Sequence, residues 1–271
     1  MSDIVLSSGV RSNLLQLQQT SDLITSTQTK LATGKRVNSA LDNPINFFTA
    51  QGLSVRANDL SQLLDTMTTG INTIQAANNG ITAITKLVQS AQSLVSQAQQ
   101  TTDTNVRATL AAQYDSLRNQ IDQLSGDSGI NGVNLLANSN LTITLNESGT
   151  SNVVITGYDD TTSGALALSA STGSWASSSD ISAAGTELTA TLVTLRSQSQ
   201  ALSSNLQTVQ VRQDFTKAMI NTLNTGADGL TLADSNEEGA NLLALQTRQQ
   251  LSTTALSLAS QADQNVLKLF Q

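Results

Sequence analysis

Three places in this 271-residue chain set side-chain types at spacings that could do chemistry, and each lacks a part. Thr33-Gly34-Lys35-Arg36 has the Gly-Lys step of a phosphate-binding loop, where backbone N–H groups cradle phosphate and a lysine reaches it. That motif needs a glycine five residues before Gly34 and Ser or Thr after Lys35, and those positions hold Thr29 and Arg36. Asp159 and Asp160 offer carboxylates to calcium, but the spaced oxygen ligands and the glycine of a calcium loop are missing, which favours a solvated turn. Glu237 and Glu238 could work as an acid/base pair, although the first turn of a helix attracts acidic side chains on dipole grounds alone. The chain has no cysteine and no histidine, so disulfides, thiolate metal sites, Cys nucleophiles and imidazole chemistry are excluded. We read no catalytic residue, no metal site and no cofactor, and expect no enzyme.

If the chain does no chemistry, its composition must say what it does instead. Charged residues make up 12% and aromatics 3%, against an ordinary charged share of about 25%. Ser, Thr, Asn and Gln have to form the polar surface, and these bury against other protein at less desolvation cost than Lys or Glu. That suits a chain surrounded by copies of itself. A net charge of −7 disfavours nucleic acid and anionic membrane, both of which select clustered Lys and Arg. No run reaches the 18 or so apolar residues of a membrane span, and the opening MSDIVLSSGV lacks the regions of a cleavable signal peptide. Export, if it occurs, is expected by another route.

The elements are mostly helical. Val10, Leu17, Ile24 and Leu31 fall seven apart and predict an N-terminal helix over 1–33. Gly34 suits its end, and Asn43-Pro44 reads as an N-cap with proline at the first helical position, so the only proline starts a helix. The helix that follows carries Leu53, Leu60, Met67, Ile74, Ile81, Val88 and Val95 in one heptad column and Leu63, Gly70, Ala77, Ile84, Ala91 and Ala98 in a second. It should extend for about 80 Å at roughly 1.5 Å per residue. A third helix starts near Asp103 with Val106, Leu110, Tyr114, Leu117, Ile121 and Leu124 inward and stops at SGDSG. Alternation at Leu141, Ile143 and Leu145, then Val153 to Ile155, predicts a β-hairpin within 139–157. Residues 159–180 are Ser/Thr/Gly-rich without a period and read as an exposed excursion. Helical periodicity resumes through Leu188, Leu195, Leu202 and Val209 to Leu223, and the 224–234 stretch is expected to break it. Asp234 with Glu237 resembles a capping box for a last helix over 235–271, with Leu251, Leu258, Ala262, Val266 and Leu269 as its apolar column.

The fold class is therefore mainly α: a long antiparallel helical or coiled-coil bundle with paired N- and C-terminal helices and a small β-hairpin insertion. Two terminal helices (1–33 and 235–271), two joints (34–43 and 224–234) and one helical domain (44–223) are laid out almost as a mirror image. The terminal helices have narrow apolar stripes and only each other to cover them. Such a pair is marginal in water, so both ends are expected to be largely disordered in the free subunit and to fold when neighbours cover them.

At these residues the chain resembles bacterial flagellin. KLATGKRVNSALDNPINFFTAQGL is similar to the family's N-terminal signature, LSGDSGINGVNLL to its segment before the β-hairpin, and LADSNEEGANLLALQTRQQLSTTALSLASQADQNVLKLFQ to its C-terminal signature. The resemblance covers about 1–145 and 188–271. It implies a secreted structural subunit that polymerises into the flagellar filament for swimming, exported unfolded through the flagellar secretion gate. The partners it implies are further copies of itself, an export chaperone, and hook-associated and cap proteins. In the family the paired terminal helices form an inner tube and the long helices with the hairpin an outer tube. This sequence leaves no room for large outer domains.

The resemblance also frames the departures and the alternatives. Family members detected by the vertebrate innate receptor carry arginines on the long helix, where this chain has Ser90 and Gln92, with Ser93 in place of a glutamate; weak activation is expected. A phenylalanine expected near Arg212 is Gln213, with Phe215 two places on. The 161–179 tip could carry O-linked glycans by analogy, while Asn140 and Asn146 match the N-linked sequon by pattern only. Some relatives carry a zinc protease insert, which the absence of histidine rules out. A hook–filament junction protein of the same superfamily is the main alternative, and another secreted helical rod a more distant one. Lys35 and Arg36 are expected to meet the acidic 234–238 segment or a neighbouring subunit.

Overall fold

The computed structural model describes residues 8–269, with the side chains of 263 and 266–269 left out. Helices α1 (Ser8–Thr33), α2 (Pro44–Gln100), α3 (Thr104–Asp127), α4 (Ser178–Thr231) and α5 (Ser235–Leu269) account for most of it. Strands β1 (Leu141–Thr144) and β2 (Asn152–Ile155) pair antiparallel, Leu141 opposite Ile155, and a 3₁₀ turn spans Gly173–Trp175. The chain divides into two compact units, Met1–Val55 with Thr222–Gln271 and Arg56–Asn221. The boundaries fall inside α2 and α4, the one in α2 beyond the Pro44 helix start from which the sequence has the outer domain begin and the one in α4 close to its expected end.

The unit over 56–221 holds the main core. Leu60, Met67, Ile74, Ile81, Val88 and Val95 of α2 are buried, as are Ala77, Ile84, Ala91 and Ala98 of its second column. They face Leu188, Leu195, Leu202 and Val209 of α4, all with no exposed surface. Gln213 Nε2 donates to Thr68 Oγ1 (2.9 Å) and Ser199 Oγ to Asn78 Oδ1 (2.7 Å), a register that makes α2 and α4 antiparallel. Helix α3 completes the bundle through Leu110, Ala111, Tyr114 and Ile121 and is capped by Asp103, whose side chain accepts from the Asn105 N–H. Val106 is exposed, and Arg107 takes the buried place one residue on. The hairpin closes one side with Ile143 and Ile155 inward and Val154 outward.

Residues 159–177 are not the exposed excursion their composition suggested. Asp160, Leu166, Leu168 and Trp175 are buried, and three helix carboxylates bind the segment down in the same way. Asp122 accepts the N–H and hydroxyl of Thr162 (2.6 and 2.9 Å), Asp115 those of Ser171 (2.9 and 2.6 Å) and Glu187 those of Ser169 (both 2.8 Å). A serine or threonine offers two donors to one carboxylate, so an aperiodic Ser/Thr stretch can be fixed without an apolar stripe. Residues 178–180 already belong to α4.

The other unit is thinner. Helices α1 and α5 pair antiparallel, with Lys30 Nζ on Glu238 Oε1 at 3.2 Å near one end. Val10, Thr20, Ile24 and Thr27 of α1 are buried and Leu17 and Leu31 half-buried. Helix α4 does not break at 224 but runs to Thr231, which shortens the second joint to 232–234.

Candidate assembly surfaces and the joint

Gly34 follows the last residue of α1 at φ +68, the left-handed conformation that ends a helix and that L side chains avoid. From there the two connections lie side by side. Arg36 N–H donates to the Thr231 carbonyl (2.8 Å), Ala233 N–H to that of Gly34 (3.0 Å), and Lys35 bridges Leu232. Asp42 then accepts the N–H groups of Asn38 and Ser39 (both 2.9 Å), and these backbone donors hold its carboxyl below the usual range. Asn43 Oδ1 accepts from Asn46 N–H (3.0 Å), placing Pro44 at the first helical position, where its missing N–H costs nothing. Across the joint Asp234 caps α5, accepting from Asn236 and Glu237 at 2.8 and 3.3 Å.

The basic pair does not meet the acidic segment. Arg36 Nη2 donates instead to the Gly229 carbonyl (3.2 Å), one of the acceptors left open at the end of α4, while Lys35 is committed through its backbone with its side chain exposed. Among the described residues the cation facing that segment is Lys30, one turn earlier on α1. The phosphate-loop reading fails on the same evidence, since the N–H of Arg36 already points at protein.

Two surfaces of this unit are apolar and uncovered. Leu41, Ile45, Phe48 and Val55 form one stripe from the joint along the start of α2, with Leu41 96% and Ile45 78% exposed. On α5 the residues turned toward α1 are Leu242, Leu245, Gln249, Ser252, Leu256 and Ala259. Leu251 and Leu258, expected to face α1, are 66% and 62% exposed, and Ala262 is exposed as well. The expectations for Val266 and Leu269 lie outside the described side chains. Helix α5 carries two apolar columns, and a single partner helix covers only one of them. On α1, Leu14, Leu15 and Leu23 are likewise exposed.

On the other unit, Ser90, Gln92 and Ser93 sit on the surface of α2. The Ser90 and Ser93 hydroxyls donate back to the Lys86 and Gln89 carbonyls (3.0 and 3.2 Å), and none of the three side chains carries a charge. The described residues hold no cluster of metal-ligating side chains and no helix long and apolar enough to cross a membrane.

The sequence, compared as a whole, matches known proteins. A family model for the bacterial flagellin N-terminal helical region matches residues 8–141. Over its whole length the chain is 31% identical to flagellin FljN of Caulobacter vibrioides and 30% identical to FljK, in each case across 99% of the relative. The chain belongs to the flagellin family. This flagellin is thus a non-enzymatic structural subunit of the extracellular flagellar filament. The crystal structure of Bacillus cereus flagellin aligns with 57% of the chain at a TM-score of 0.48 and 16% identity, too loose to transfer contacts.

Proposed function

We propose that this flagellin polymerises by packing its uncovered apolar stripes, Leu41, Ile45, Phe48 and Val55 on one side and Leu251 and Leu258 on the other, against further copies. The supporting observation is their exposure within one chain, 78% at Ile45 and 66% at Leu251. Large apolar side chains gathered on one helix face in this way mark a surface meant to be covered. In this reading the α1–α5 pair lines the inner tube and the 56–221 bundle forms the outer one. A subunit repeated by a screw operation makes heterologous contacts and an open filament. The deciding variant is Leu251→Asp with Leu258→Asp. Its circular dichroism and monomeric mass should match the parent while seeded polymerisation is lost, and normal filaments from it would refute the assignment.

Export as an unfolded chain through the flagellar secretion gate, with a chaperone and a cap protein as partners, fits a sequence free of disulfides. The uncharged side chains of Ser90, Gln92 and Ser93 lack the charges that the innate receptor's recognition of relatives relies on, so depolymerised subunit should activate reporter cells weakly. Activation equal to that by an arginine-bearing flagellin would overturn this. Of the hydroxyls that glycans could use, Ser163, Thr172, Ser174 and Ser177 remain exposed on the packed segment, and intact mass of filament protein tests their occupancy.

A further inference from the structure

The bundle encloses one carboxylate that no cation neutralises among the described residues. Asp160 has no exposed surface and Gln198 of α4 is 5% exposed, and Gln198 Nε2 donates to Asp160 Oδ1 at 2.8 Å. The second oxygen of each group, Asp160 Oδ2 and Gln198 Oε1, is buried without a hydrogen-bond partner among the described residues. Two orphaned acceptors on two groups already joined by one bond are matched by a single added proton. We propose that Asp160 is a carboxylic acid in the folded subunit, its Oδ2–H donating to Gln198 Oε1, so that the pair forms a two-bond latch between the 159–177 segment and α4 that opens when the proton is lost.

The surroundings favour the neutral form. Burial raises the Asp160 carboxyl from its ordinary range to about 6, and neighbouring Asp159 pushes the same way, against the single bond from Gln198. The other charged groups packed nearby are engaged elsewhere: on α3, Asp122 accepts from Thr162 while Arg118 donates to the Leu168 carbonyl and to Thr162, and on α4 Glu187 accepts from Ser169. Arg196, also on α4, lines a groove with Lys86 of α2. The 134–138 turn, whose Leu136 carbonyl accepts the Asp160 N–H at 2.9 Å, contains no titratable side chain.

The sign follows from linkage. The folded pKa lies above the unfolded 3.8, so between them the folded state binds more protons. The stability that the latch contributes is full below about pH 4, falls as pH rises through about 6, and is lost above it. Asp160→Asn reproduces the neutral acid, because its amide both accepts from Gln198 Nε2 and donates to Gln198 Oε1 without titrating. In urea unfolding of depolymerised full-length subunit, the wild type's unfolding constant should rise about fiftyfold between pH 4 and 7 relative to Asp160→Asn. A ratio that stays flat across that range overturns the latch. Should the variant fail to fold, carboxyl carbon NMR of the wild type decides: a titration midpoint near 6 for a buried Asp supports the proposal, and no Asp midpoint above about 4.5 refutes it.

Discussion

Arg107 shows what a single residue can fix here. Its guanidinium donates to the carbonyls of Ala98 (3.2 Å), Thr101 (2.8 Å) and Ala176 (3.2 Å) and to Ser178 Oγ (3.3 Å), tying the α2–α3 turn to the start of α4. Carbonyls ending a long helix have no intrahelical partner, and a planar fork with several N–H groups can answer them together. Arg107→Ala should cost about 2–4 kcal/mol, since it leaves buried acceptors unpaired. Arg107→Lys should recover little, because one ammonium cannot reach acceptors on both sides, and urea unfolding of the depolymerised subunit measures both. Heptad spacing gave no sign of this residue: it pointed to Val106, because the pattern scores apolar side chains and an arginine satisfied by carbonyls is invisible to it. Trp175 was legible in principle. A lone large aromatic within Ser-rich sequence has little reason to be there unless it is buried, and it lies 5.1 Å from the Tyr114 ring, whose hydroxyl burial pushes up to about 12.

Among the elements, the long helices could be read because burial on two adjacent faces leaves two heptad columns, and both columns of α2 are covered. A small residue outside both columns carries a further requirement. At Gly80 an added Cβ would fall against the Ser128 hydroxyl and 2.7 Å from Leu136 Cδ1, so Gly80→Ala should cost about 1–3 kcal/mol by forcing α2 off the α3–hairpin connection. At Gly34 nothing lies within 4 Å, and the cost of alanine is conformational alone, about 1–2 kcal/mol from the left-handed backbone. Thermal unfolding followed at both positions should therefore show the Gly80 variant lowering the main transition and the Gly34 variant sparing it. What periodicity could not give was the phase of α5. Leu242, Gln249 and Leu256 fall seven apart in a column weaker than that of Leu251 and Leu258, because its middle place is polar, yet they are the ones that face α1. Apolar strength marks which residues need covering, and in a chain that assembles the cover can come from outside.

The same reasoning predicts how the whole subunit behaves before and after assembly. Among the described residues, the buried apolar side chains of the unit over 1–55 and 222–271 are few, Val10, Ile24, Val37, Ala50, Leu223 and Ala227, and half of its buried α1 positions are threonines. Helices with so little to bury are held mainly by each other and open readily. The 56–221 unit, with its continuous core from Met67 to Val209, should stay closed under the same conditions. Trypsin can tell the two apart, because Arg11, Lys30, Lys35, Arg36 and Arg248 lie in the thin unit. Brief digestion of depolymerised subunit should therefore cut at these residues first and leave a fragment containing 56–221, read by intact mass. In filaments the same bonds should resist, because neighbouring copies would cover Leu251, Leu258 and the stripe from Leu41 to Val55. Equal cleavage rates in both states would mean that the thin unit is stable alone and that its exposed leucines have some other purpose.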